Sequence, residues 1–177
     1  ITVFFANGVD IEHNWIPNAP YSGIHLGWGW CDFDGSDVAN HPEWGKGNRP
    51  AVFPGKPTTV AGNNTIRRNR VEHVMRVLHD GGTIYTLGAM PGSVIEENFC
   101  SDVGNERNIY TDEGSAFFEC VRNVTQAPYR WAHYAPDYGR KHSLVVKNYF
   151  ISKESWDDEG PNIDFVDYVV CDPNDWP

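Results

Sequence analysis

No apolar run in this sequence approaches the roughly 20 residues that a membrane-spanning helix needs, so no such helix is expected. Also missing are His-Glu-x-x-His, Gly-x-x-x-x-Gly-Lys-Ser/Thr and Gly-x-Ser-x-Gly, which removes the sequence support for zincin, P-loop and ordinary esterase chemistry. Gly27 and Gly29 begin a dinucleotide-like fingerprint, but Asp32 stands where its third glycine belongs. Cysteine is scarce, and none of Cys31, Cys100, Cys120 and Cys171 falls in the Cys-x-x-Cys pair of a zinc or redox site. Positive charge is short as well. With 14 Lys and Arg against 24 Asp and Glu, the net charge is -10 and a duplex nucleic acid would meet a repulsive field. No internal repeat or low-complexity segment is apparent.

What is present describes a folded domain. Hydrophobic residues make up 40% of the chain, with 7 Trp, 8 Tyr and 9 Phe, enough apolar surface to offset the entropy of ordering. A length of 177 residues suits one domain, residues 1–177. Residues 1–63 are rich in Gly and Pro with one short strand, Thr2 to Phe5, and residues 64–177 hold a helix and sheet core. Four separated cysteines imply two disulfides that pin the loop-rich region, with Cys31–Cys171 and Cys100–Cys120 the favoured pairing. Sequons at Asn63 and Asn123 mark candidate glycosylation sites, and the start ITVFFANG, without Met, reads as a mature or trimmed form. Together these features predict secretion to the extracellular space.

Two helices are expected. In residues 63–82, Val71, Val74, Met75 and Leu78 fall on one helical stripe, with Asn63, Asn64 or Thr65 as N-cap and Gly81 and Gly82 as C-terminal stops. The segment from Asp112 to Val124 carries Thr111 as cap and Ala116, Phe117, Cys120, Val121 and Val124 as its apolar face. Strands are expected at Thr83–Leu87, Tyr129–Tyr134, Ser143–Ile151 and Ile163–Cys171, the last two joined as a hairpin. The fold class is therefore α+β: a single domain with an antiparallel or mixed β-sheet, and one or two helices packed on it. Arg67, Arg68, Arg70 and Arg76 against Glu72 give the first helix a charge of +3, which the chain's own acidic loops are expected to hold.

Chemistry-bearing residues cluster twice. In residues 23–37, Trp28 and Trp30 alternate with glycine and share one side of an extended chain, as a stacking platform or as buried packing. Asp32, Asp34 and Asp37 around Gly35 could supply oxygen ligands to calcium, or form a solvated turn. With Trp44 these give a ligand-binding set of Trp28, Trp30, Asp34 and Trp44. The second cluster is His133 with Arg130 and Asp167, a metal-free acid–base set if they converge and hydrogen-bonded strand residues if they do not. The favoured reading is a secreted, disulfide-stabilised, non-catalytic binding protein of lectin, toxin or host-directed effector type. Its partner would be an extracellular glycan or protein, and it needs no cofactor other than the possible calcium. The alternative is a secreted metal-free hydrolase, ribonuclease-like, using His133, Asp167 and Arg130.

Overall fold

A computed structural model describes residues 1–27, 61–104, 106–112 and 115–126, together with the strand backbones of 130–134, 144–150, 163–165 and 169–170. Among the described residues fifteen strands succeed one another: β1 (Thr2–Val3), β2 (Asp10–Glu12), β3 (Trp15–Ile16), β4 (Ile24–Leu26), β5 (Thr65–Arg67), β6 (Arg70–Glu72), β7 (Gly82–Thr86) and β8 (Ala89–Glu96) come first. They are followed by β9 (Phe99–Ser101), β10 (Arg107–Thr111), β11 (Ala116–Gln126), β12 (Arg130–Tyr134), β13 (Leu144–Phe150), β14 (Ile163–Phe165) and β15 (Val169–Val170). Among the described residues every strand pairing is parallel, and there is no helix.

The registers show how the chain winds. One sheet runs β1-β4-β7-β10-β12. A second follows β2-β5-β8-β11-β13-β14 and turns a corner onto β3-β6-β9-β11-β13-β15, because β11 and β13 run through that corner. Five circuits of the chain, from β1 to β13, thus lay a stretch of strand on each of three faces, with β11 and β13 serving two faces apiece, which is a β-solenoid whose coils stack along an axis. The α+β expectation, with an antiparallel or mixed sheet and packed helices, is overturned. The expected hairpin is too, since β14 and β15 both pair with β13 in parallel.

The core is three columns of like residues facing the axis. Ile24, Ile84 and Ile109 stack from the first face, Ile11, Ile66, Ile95 and Cys120 from the second, and Ile16, Val71 and Cys100 from the third. Val71, Val74 and Met75 are buried as their helical spacing implied, but Leu78 is 53% exposed. Arg68, His73 and Met75 have φ of 55°, 56° and 58°, a left-handed conformation that no α-helix admits. Phe117 and Arg122, at φ 63° and 54°, break the second expected helix in the same way.

The corner between the second and third faces is held by asparagines. A residue with positive φ, His13, Arg68, Glu97 or Arg122, bends the chain there, and the next residue is Asn14, Asn69, Asn98 or Asn123. Each asparagine amide substitutes for the backbone ladder that the bend interrupts. Asn69 N–H and Nδ2 donate to Asn98 Oδ1 at 3.0 Å each, and Asn98 Nδ2 donates to Ile66 O at 2.9 Å. The same bonds recur one coil on, where Asn98 N–H donates to Asn123 Oδ1 at 3.0 Å and Asn123 Nδ2 to Ile95 O at 2.9 Å. The strand register continues this column to Asn148. The chain is therefore a repeat after all: IEHNWI, IRRNRV, IEENFC, CVRNVT and VVKNYF occupy successive coils.

Candidate functional site

Strand alternation sends the neighbours of the core isoleucines to the outside of the first sheet. Ile24, Ile84 and Ile109 face the axis, so His25, Tyr85 and Tyr110 form a second column on the outer side, in direct register. Tyr85, Leu87 and Tyr110 accordingly make a cluster separate from the main core. The rings meet in sequence: Phe4 to His25 at 5.1 Å, His25 to Tyr85 at 4.7 Å and Tyr85 to Tyr110 at 5.1 Å between centroids. These are tilted and edge-on contacts, the favourable aromatic arrangements.

Two carboxylates terminate this row. Tyr85 OH donates to Asp112 Oδ2 at 2.6 Å, and Tyr110 OH donates to Asp80 Oδ1 at 2.9 Å. Asp112 is buried where β10 ends, and Asp80 is exposed in the segment leading into β7. Tyr21 OH donates to the Asp80 carbonyl at 2.8 Å, which fixes that segment from the other side. Arg107 lies over the Tyr110 ring at 4.9 Å and pairs with Glu106 at 3.2 Å.

Burial is the first cause of the shifted acidities. It raises the Tyr85 and Tyr110 hydroxyls, and the nearby Asp112 and Asp80 carboxylates raise them further. Both tyrosines therefore stay protonated as donors. Burial also lowers the His25 imidazole to about 4, so it is neutral at physiological pH. A row of neutral rings thus holds two carboxylates in unlike settings, one buried and one open.

Of the residues singled out from sequence, His133 and Arg130 lie on β12, in backbone register with Tyr110 and Arg107 respectively. Asp167, Trp28, Trp30, Trp44, Asp32, Asp34, Asp37, Cys31 and Cys171 lie outside the described residues. The Cys100–Cys120 bridge is corrected: Cys100 is a buried free thiol whose pKa burial pushes up to about 12, and Cys120 Sγ accepts a bond from Asn123 Nδ2 at 3.5 Å. They face the axis from different columns. Asn123 is likewise buried with its amide engaged in the corner column, so it offers no glycan site in the folded chain. Asn63 lies at the surface, its Nδ2 3.4 Å from Asn7 Oδ1. The arginines do pair within the chain, but there is no helix and two of the partners, Glu12 and Glu72, lie on strands rather than in acidic loops. Arg67 pairs with Glu12 at 2.7 Å, Arg68 with Glu97 and Arg70 with Glu72 at 2.9 Å, and Arg76 with Asp102. Among the described residues no cluster of His, Cys, Asp or Glu is arranged for a metal ion.

Sequence reasoning missed Tyr85, Tyr110, Asp80 and Asp112. One signal could have found the first two: Ile-Tyr-Thr occurs at 84–86 and again at 109–111, in matching register.

No family model and no curated protein matches the chain. Among solved structures, a glycoside hydrolase is similar over 92% of this chain, at 25% identity and a TM-score of 0.56. The chain spans 22% of that protein's length.

Proposed function

We propose that this chain is the glycan-engaging segment of a carbohydrate-active protein, and that it hydrolyses a glycosidic bond with Asp80 and Asp112 as its two carboxylates. The observation that carries the reading is the Tyr85–Tyr110 ring pair with a carboxylate hydrogen-bonded to each hydroxyl. Glycoside hydrolysis uses two such acids flanking the bond, one giving a proton and the other serving as base or nucleophile. Tyr85 and Tyr110 are themselves buried and brace the carboxylates, while Phe4, 47% exposed, ends the row in solvent, where an aromatic ring suits the apolar face of a sugar. The likeness to a glycoside hydrolase over most of the chain supports the same class of ligand. An extracellular location belongs to this proposal, and Asn63 is the sequon that remains to support it.

The test is reducing-sugar release from a panel of polysaccharides by the chain and by Asp112→Asn and Asp80→Asn. Loss of about 100-fold or more in each folded variant is expected, the range for removing a general acid or base. Full activity in both would overturn the assignment. Retained binding without any hydrolysis in the parent chain would reduce it to a glycan-binding surface, closer to the lectin-type reading.

A further inference from the structure

Among the described side chains the aromatic row is electrically uneven: the Ile1 ammonium acts on His25 at one end, and Asp80, Glu106 and Asp112 bring three carboxylates to the other, against Arg107. That guanidinium is committed twice, to Glu106 at 3.2 Å and to the Tyr110 ring at 4.9 Å, so it is positioned to neutralise its own neighbours. Asp80 N–H donates to Glu106 Oε1 at 3.2 Å, which ties the two acidic residues together at the open edge. His25 adds no positive charge at neutral pH. His79, 82% exposed, stands 3.4 Å from Glu106 and is spent on the same carboxylate.

We infer that the glycan taken by this face is uncharged, a neutral polysaccharide or oligosaccharide rather than one bearing uronate or sulfate groups. The inference rests on the functional reading above and narrows it. An anionic sugar needs a bidentate arginine or a lysine aimed at its carboxylate or sulfate. Here it would meet like charges in a partly buried setting where repulsion is weakly screened. Hydroxyl groups meet no such penalty, because a carboxylate accepts their hydrogen bonds. The face thus discriminates by repelling the wrong partner as much as by holding the right one. The chain's net charge of -10 extends the same bias to the encounter.

The experiment measures affinity at low and at physiological ionic strength for neutral polymers (xylan, galactomannan, mixed-linkage glucan) and for anionic ones (polygalacturonate, alginate, heparin). It uses the chain and the variants Asp80→Asn and Glu106→Gln. At low salt the best neutral polymer is expected to bind at least tenfold more tightly than any anionic one. Added salt and Glu106→Gln should each narrow that gap by improving the anionic polymers. An anionic polymer bound best at low salt, and weakened by Asp80→Asn, would overturn the ligand class while leaving the site intact. Binding of no polymer, or binding indifferent to Asp80→Asn, would remove the site and this inference with it.

Discussion

The asparagine corner and the aromatic row are both columns built one residue per coil, yet they differ in regularity. At the corner the same residue makes the same bonds at each step: Asn N–H and Nδ2 to the next Oδ1, Nδ2 to a carbonyl of the previous coil. In the row the residue varies, from Phe4 to His25 and then to the two tyrosines Tyr85 and Tyr110, and the hydroxyls bond sideways to acids off the column. A column that repeats is satisfied by its own neighbours and serves the architecture. A column that varies spends its polar groups on something outside itself, and function is to be sought there.

Breaking the regular column should have the largest effect on stability. Asn98→Ala removes bonds to Asn69 N–H, Ile66 O and Asn123 Oδ1, all buried. Each orphaned group costs about 1–3 kcal/mol, so a loss of about 4 kcal/mol is expected in urea unfolding. A wild-type midpoint would show that the column is ornamental.

The irregular column should instead betray itself through pH. His25 is lowered from 6.5 to about 4, chiefly by burial, with the Ile1 ammonium adding to it and a backbone bond at Gly27 opposing it. Its folded pKa lies below its unfolded value, so the unfolded chain binds the extra proton first. Stability is therefore lost as pH falls from about 6.5 to about 4, by about 3 kcal/mol at the lower end. His25→Phe should flatten that slope between those values. An unchanged slope would place the acid sensitivity elsewhere.

The smallest effect is expected beside the corner, on the exposed charges that alternate from coil to coil. Glu97 receives Arg68 at 2.9 Å and Arg122 at 3.2 Å, and these bonds hold its carboxyl below the usual range. The contribution is present above the ordinary carboxylate pKa and is lost as pH falls through the lowered one. Exposed pairs are weak and salt-sensitive. Arg68→Ala with Arg122→Ala should lower the melting temperature least of the three, and raising the salt should erase the difference. A loss rivalling that of Asn98→Ala would mean that the charges, not the asparagines, hold the corner.

Strand content was legible only in part: β2, β3, β4, β8, β9 and β10 were missed, and β5, β6 and β11 fell inside the two expected helices. Alternation located β7 and β12 to within a residue or two, and it also found β13 and the segment holding β14 and β15, because each is long or β-branched enough to stand out. Residues 63–82 were not, since Val71, Val74 and Met75 sit at helical spacing only because bends at His73 and Met75 interrupt the strand pattern. Local pattern cannot distinguish a turn of helix from a corner whose reward lies in the next coil. The repeat was hidden by uneven spacing: successive asparagines stand 55, 29 and 25 residues apart, so no fixed period appears. Asp80 fell at the end of the first expected helix and Asp112 at the start of the second. Their pairing exists only once two coils lie side by side. His133 was reached from alternation on its own strand, and its register beside Tyr110 follows from the stacking.

Those uneven spacings also set a mechanical scale. If the chain were pulled from its first residue, coils would peel away in order, each held until its asparagine step let go. The 55-, 29- and 25-residue intervals would then be released as separate lengths of thread, roughly 190, 100 and 85 Å at the reach of an extended backbone. The spacing that conceals the repeat from the eye would be written plainly in a force trace.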